Sequence, residues 1–434
     1  MVESSYRVSI NVLWVTSLLI FSSSVLCGGF QISIQTVPGI GRAAAGYGLV
    51  GDDASAVFYN PAALTLLQDT QIQGGLFYVT TSLEFENQGS TLGTLGQTVP
   101  TGGVNRDGSE DGPIAATYLV TDPAERFRVG LGITTPFGSV TDYKGDWVGR
   151  YHALRSEFKT IDINPSFAVR FNDHFSIGAG MSIQYADATL SRAVFTGLQL
   201  PDGFVRVEGK DWGLGYNVGA MYEANQNTRF GVGFRSTIEQ TFDGIRKLEG
   251  VPGLSGTVGA KARLKLPETL YIGAYHQVHP RWDLTAGIRW TNWSRFEEIR
   301  IRFADGSPDD VTPQNWEDSW TFALGVDYRY NPDWTFRAGY SFDETPVPSK
   351  QFRTPSMPDN DNHWLAVGAS YKYRKNIVLD LGYTHVFYED AEIENTINLV
   401  SSNLASLGIF TSTLVGEYES ASADVVGAQL RYSF

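Results

Sequence analysis

From about Thr70 to the C-terminus this chain repeats one rhythm: an alternating apolar and polar run, a very short polar turn, a second alternating run, then a long polar loop. A period of two sends successive side chains to opposite faces of a strand. Trp320, Phe322, Leu324, Val326 and Tyr328 share one parity, and Thr321, Ala323, Gly325, Asp327 and Arg329 the other. From Phe175 to Tyr185 one face is wholly apolar while the other is Ser, Gly and Gln. The short turns fall at Asp122–Glu125, Asn172-Asp173, Asn225–Asn227, His279-Pro280, Asn331–Asp333 and Lys375-Asn376. The long connections fall near residues 87–112, 138–155, 195–207, 244–256, 304–314, 344–362 and 391–419. Short turns at one rim and long loops at the other are the pattern of an outer-membrane barrel.

The runs number about fourteen, an even count that leaves both chain ends at the short-turn rim. The expected fold is therefore all-β: a transmembrane antiparallel β-barrel of about fourteen strands. The last run sets Val426, Ala428, Leu430, Tyr432 and Phe434 on one face. An aromatic terminal strand of this kind resembles the assembly signal of outer-membrane proteins. The expected partners are then the barrel-assembly machinery, through that strand, and outer-membrane lipid and lipopolysaccharide around the wall. A secreted β-sandwich also alternates. Against it, Trp282, Trp290, Trp320, Trp334, Tyr371, Tyr373 and Tyr432 recur near run ends, as aromatic girdles would. Arg229, Arg235, Arg289, Arg329, Arg337, Asp327 and Asp380 take the opposite parity, where a polar lumen would hold them.

Residues 1–27 read as a signal peptide, with Arg7 near the start, an apolar core from Val12 to Phe21 and cleavage near Cys27-Gly28. Beyond it no stretch approaches the roughly 18 apolar residues of a spanning helix. Cys27 is the only cysteine, so the mature chain has no disulfide and no thiolate metal site. A net charge of −14 argues against a nucleic-acid partner, which would call for a basic face.

A barrel of about fourteen strands encloses more space than its own side chains fill. Residues 28–69 are the one substantial segment outside the alternating series, with Gly39, Gly41, Gly46, Gly48 and Gly51. They read as a plug, or hatch, in the lumen, and residues 70–434 as the barrel with its long outer loops.

The chain here resembles a known family over essentially its whole mature length. Gly29-Phe30-Gln31, Gly39-Ile40-Gly41-Arg42-Ala43, Asp52-Asp53-Ala54-Ser55 and Asn60-Pro61-Ala62 look like the N-terminal hatch of the FadL family of outer-membrane transporters. Asn292-Trp293-Ser294-Arg295-Phe296, Arg337 to Tyr340, and Arg353 to Asp359 through His363-Trp364 are similar to it as well. The resemblance implies passive uptake of hydrophobic small molecules, long-chain fatty acids or related apolar compounds, captured at the outer loops and released through a lateral opening in the third strand. It implies a gating role for Phe30, Ile32 and Ile34 on the arm, and for Asn60, Pro61 and Ala62 deeper in the hatch. The wall opening is expected at Gly132, Pro136 and Gly138, because proline cannot donate to a ladder and glycine weakens one.

A carboxylate-bearing ligand would need a cation. Arg289 and Arg337 on the inward parity, with Arg150, Lys350 and Arg353 in loops, are the candidates; pairing with lumen carboxylates is the competing use of each. Gly39-Ile40-Gly41-Arg42-Ala43-Ala44 matches a dinucleotide fingerprint on paper, but no βαβ unit follows, so no cofactor is expected. His276 and His279 have no third ligand nearby, and no metal is expected. No enzyme activity is expected. The alternatives are an outer-membrane lipid hydrolase using Ser294 or Ser341 with His385, and a structural or adhesive surface barrel.

Overall fold

The computed structural model describes residues 28–94, 97–197, 200–399 and 410–434; the expected leader, residues 1–27, lies outside the described residues. Fourteen staves close an antiparallel barrel. In chain order they are Gln71–Ser82, Gly112–Ala124, Phe127–Thr134 continued by Gly138–Asp142, Arg155–Arg170, Phe175–Val194, Gly203–Asn225, and Thr228–Arg235 continued by Ile238–Glu249. Then come Gly256–Leu266 continued by Thr269–His279, Trp282–Thr291 continued by Glu298–Phe303, Asp310–Pro313 continued by Ser319–Arg329, Trp334–Asp343, Asn362–Arg374, Ile377–Tyr388 and Ser422–Ser433. The first stave pairs with the last in unbroken register, from Gln71 opposite Ser433 to Ser82 opposite Ser422. Apart from one interruption beside the third stave, closure leaves no strand edge to the surroundings, the condition for a sheet to sit in hydrocarbon.

The parity seen in the sequence decides which way each side chain points. On the tenth stave Trp320, Phe322 and Leu324 are outward and exposed, while Thr321 and Asp327 are buried inside. Trp282, Tyr330, Trp334, Tyr373 and Phe434 stand exposed at the short-turn rim. Trp320 and Trp212 mark the opposite level. From Trp320 to Tyr328 a strand advances ~27 Å, which suits the tilted crossing of an apolar band about 25 Å tall.

Two expected loops are shorter than the sequence suggested. Residues 195–207 and 244–256 are in large part strand, because the sixth stave begins at Gly203 and the seventh runs to Glu249. Here charged residues such as Arg206, Glu208, Asp243, Arg246 and Lys247 dilute the alternation that marks the lipid-facing part of each stave. The first and last outer loops combine in a separate five-stranded sheet, with Phe410–Tyr418 pairing to Phe85–Asn87, Thr91–Thr94 and Ala391–Asn398. Its underside holds Phe85, Tyr143, Trp147 and Tyr418 in one apolar cluster with Tyr143 stacked on Trp147 at 3.9 Å.

The N-terminal segment packs against the inward parity of the staves. It contains two short helices, Val37–Ile40 and Ala56–Tyr59, and a 3-10 turn, Pro61–Leu66. Ile40, Leu49, Val57, Phe58 and Leu64 lie in one core cluster with the wall residues Phe77, Ile114, Tyr118, Tyr271 and Trp364.

Candidate transport site

Two kinds of attachment hold the N-terminal segment, and they differ along its length. In its body the wall comes within backbone contact. A Cβ at Gly219 would lie 2.0 Å from Asn60 Oδ1, and one at Gly339 would lie 2.2 Å from the carbonyl carbon of Arg42, so both positions need the bare glycine backbone. Arg42 forks Asp327 through Nε at 2.7 Å and Nη2 at 2.5 Å, and also reaches Asp52 at 2.6 Å. Arg337 closes the square at 3.0 Å from Asp52 and 3.3 Å from Asp327. Arg42, Arg337 and Asp327 are buried and Asp52 is half-buried, and the four charges alternate in sign, the pairing that a charge taken out of water needs.

Asn60, Pro61 and Ala62 form the tightest corner of that body. The Asn60 side chain accepts from Ala62 N at 3.1 Å, capping the 3-10 turn, while its Nδ2 donates to the sixth stave at Ala220 O, also at 3.1 Å. Pro61 occupies the first helical position, where its missing N–H costs nothing.

The arm, residues 28–36, is held more lightly. Gly28 N donates to Asp343 at 2.8 Å and Gly29 N to Asp359 at 3.0 Å. Asp359 lies in an outer loop, and burial pushes its carboxyl up to about 8. Phe30 enters an aromatic box, with ring centroids 4.7 Å from Trp293, 5.3 Å from Phe158, 5.6 Å from Phe296, 5.7 Å from Trp316 and 6.1 Å from Phe137. Ile32 and Ile34 join the main core cluster. The arm meets the Asn60 corner through Tyr59, whose hydroxyl donates to Ser33 O at 2.5 Å and accepts from Gln35 N at 3.1 Å.

The third stave breaks where proline was expected to break it. Gly132 is still paired, opposite Asn164; the regular register stops at Thr134, Phe137 keeps an irregular link in which its carbonyl accepts from Thr160 N at 3.2 Å, and Gly138 resumes opposite Lys159. The arm fills the missing place: Ile32 N donates to Pro136 O at 2.8 Å and Gly138 N to Phe30 O at 2.9 Å, an antiparallel bridge of Gln31 with Phe137. The second stave registers with the third only as far as Thr117 opposite Ile133. Its residues Gly112 to Ala116 register only with the first stave, so the ladder between the second and third staves has a gap beside the break. Ala115 sits opposite Leu76, an exposed outward residue, which puts the gap within the apolar band.

Above Phe30 opens an apolar cavity of about 120 Å³, with Phe158, Leu190, Phe242, Leu264, Phe296 and Ile299 among its walls. The five cations considered for a carboxylate all have partners elsewhere. Arg289 pairs with Asp343 and Arg337 with Asp52 and Asp327; Arg150 pairs with Asp202 and Lys350 with Glu392 and Glu394. Arg353 donates to Asp359 O at 2.9 Å and to Asn360 at 3.1 Å. None of the five lines this cavity.

The aromatic box and the anchors Asp343 and Asp359 escaped sequence reasoning. Trp293 and Phe296 stood in a recognised motif without a role, and Trp316 is an aromatic in an otherwise polar loop, the one local signal available. The hydrolase residues do not meet. Ser341 is on the inward parity, His385 pairs with Asp424 at 2.7 Å on the outward one, and Ser294 donates to Asn292. Among the described residues no group of three or more His, Cys, Asp or Glu is placed to hold a metal.

A closed fourteen-stranded wall with a buried N-terminal segment and a broken third stave defines an outer-membrane transport barrel. The family described as outer membrane protein transport protein (OMPP1/FadL/TodX) matches residues 18–434, and the chain belongs to it. It is 27% identical to the long-chain fatty acid transport protein of Escherichia coli O6:H1, over 85% of this chain and 89% of that protein. It is 25% identical to outer membrane protein P1 of Haemophilus influenzae, over 96% and 98%. Among solved structures, a Pseudomonas aeruginosa FadL homologue superposes with a TM-score of 0.84 at 24% identity, covering 94% of this chain and all of that one. The Ralstonia pickettii toluene transporter TbuX does so with 0.66 at 19%, covering 94% and 99%.

Proposed function

We propose that this protein is a passive channel for hydrophobic small molecules, long-chain fatty acids or related apolar compounds, gated by its N-terminal arm and emptied sideways through the third stave. Residues 28–69 are the hatch and residues 70–434 the barrel, following a signal peptide of residues 1–27. A ligand collects among the outer loops, settles in the cavity above Phe30, displaces the arm and leaves between Ala115 and Thr135. Outer-membrane lipid and lipopolysaccharide surround the wall, and Phe434 closes the strand offered to the assembly machinery.

The observation that carries this reading is the double duty of the arm. The Phe30 ring lines the cavity, while the Phe30 carbonyl and the Ile32 amide complete the ladder at Gly138 and Pro136. Whatever takes the place of the ring also loosens the patch over the gap. Exit into hydrocarbon is favourable because an apolar ligand never re-enters water, a gain of about 0.8 kcal/mol per CH₂ kept dry.

Two variants test the route. Deletion of Phe30 to Gln35 should abolish gating and change uptake of an alkane or fatty acid by cells producing the protein. Joining Ala115→Cys to Thr135→Cys with a thiol cross-linker should stop uptake, and reduction should restore it. Full flux with the link in place would overturn lateral exit, and unchanged uptake after the deletion would overturn the arm as gate.

A further inference from the structure

Next to the apolar cavity, and sharing Ser156, Leu190, Val207, Ile299, Ile301 and Ser356 with it, lies a second chamber of about 80 Å³ in whose walls polar side chains are set among apolar ones. Its charged groups are already matched. Arg192 pairs with Asp310 at 2.7 Å. His152, in the loop above, bridges Asn395 at 3.2 Å and Ser412 at 3.1 Å, and burial holds its imidazole down to about 4, so it is neutral at pH 7. Ser156 donates to Ser356 at 2.7 Å.

Two wall residues stand apart from this matching. Gln314 is 1% exposed, and neither its Nε2 nor its Oε1 has a hydrogen-bond partner; Thr354 is 6% exposed with its hydroxyl unpartnered. A buried amide left unpaired costs about 1–3 kcal/mol, so such groups are tolerated where something else comes to satisfy them. The amide offers two N–H donors and a carbonyl acceptor without net charge. An alcohol or a primary carboxamide can meet both kinds of group, whereas a carboxylate brings acceptors only and a charge that the lining cation Arg192, paired with Asp310, is not free to receive. In the neighbouring cavity, Lys261 and Arg263 are the cations, and they pair with Asp243 and Glu239 at its exposed edge.

We infer that the two chambers together form a site for amphiphiles with an uncharged, hydrogen-bonding head group, the chain lying above Phe30 and the head meeting Gln314 and Thr354. The inference rests on the cavity above Phe30 being the ligand site, and it narrows the substrate class taken there. The second chamber makes the head group, not chain length alone, a determinant of choice.

The test uses the full-length mature protein in lipid nanodiscs at pH 8, where a carboxylic acid is ionised. Dodecane, 1-dodecanol and dodecanoate are each equilibrated with it, and retained ligand is quantified by mass spectrometry against empty nanodiscs. The alcohol should bind about tenfold more tightly than the carboxylate. Gln314→Leu and Thr354→Val should each lower the alcohol-to-alkane ratio by about two- to tenfold, the worth of one hydrogen bond. Circular dichroism and heat-modifiable gel mobility establish that each variant is folded. Dodecanoate binding as tightly as dodecanol would overturn the inference, and so would a ratio unmoved by both variants, the result if the amide holds water only. If dodecane itself does not bind, the cavity is not the ligand site and the proposed function fails at that point.

Discussion

Arg42 and Asp327 are 285 residues apart in sequence and joined by two hydrogen bonds inside the barrel, at 2.7 and 2.5 Å. The pair ties the body of the N-terminal segment to the tenth stave. The arm ahead of it has no such ion pair between side chains; it is kept by backbone amides on Asp343 and Asp359, by the bridge to Phe137, by the Phe30 ring and by neutral hydrogen bonds that join Gln31 to Thr269 and Thr291 and Gln35 to Thr135 and Tyr118. The body is thus held by buried ion pairs and the arm by neutral hydrogen bonds and apolar packing.

The Arg42 pair should be a stability element. Asp327→Asn leaves a buried guanidinium facing a weaker partner, and loss of such a partner costs about 3–5 kcal/mol when nothing replaces it. Part of that is recovered here through Asp52 and the new amide. Urea unfolding in detergent should show a loss near the lower end of the range, with barrel strand content unchanged before the transition.

Phe30→Ala should free the arm without unfolding the wall. Removing a buried phenylalanine ring costs about 3–5 kcal/mol, and here that cost falls on docking of a segment whose other attachments are neutral hydrogen bonds and the packing of Ile32 and Ile34. Hydrogen exchange at Gln31 to Gln35 should accelerate by a hundredfold or more at this cost, about 1.4 kcal/mol per factor of ten. Exchange at Phe58 to Ala63 should stay slow.

Gly219→Val should unseat the Asn60 corner. The first added carbon would stand 2.0 Å from Asn60 Oδ1. Either the turn at Pro61 withdraws from the sixth stave or the stave bulges, and overpacking of this kind typically costs about 1–3 kcal/mol. A disulfide or spin-label distance from residue 60 to the wall should lengthen in the variant, and Asn60→Gly in the same chain should relieve it.

Acid should open the outer-loop sheet. The free imidazole has a value of 6.5, and in the folded loop burial holds His152 at about 4. Between those values the closed loop binds fewer protons than the open one, so closure strengthens as pH rises. The contribution is complete above pH 6.5 and is lost as pH falls through 4. Exchange at residues 149–153 and 391–398 should quicken at pH 4.5 relative to pH 7, and His152→Gln should flatten that difference.

Much of the fold was legible in the sequence because lipid imposes one requirement along every stave. Trp320, Phe322 and Leu324 had to face outward together, and the turns at Asn172, Asn331 and Lys375 had to be short. Pro136 marked the wall break for a similarly local reason, since its missing amide cannot serve a ladder. The candidate cations misled because charge alone does not say who is already paired. Arg289 looks the same in sequence whether it awaits a ligand or holds Asp343.

Sequence by itself determined the alternation, the number and order of the staves, and the segment left over to occupy the lumen, because these follow from the period of two and from the volume a wide barrel encloses. Tertiary structure alone decided that Phe30 meets Trp293 and Trp316, that the arm patches the ladder at Pro136, and that Gln314 lines a chamber with its buried amide unpartnered. Those relationships join residues more than a hundred positions apart, and barrel closure brings them together.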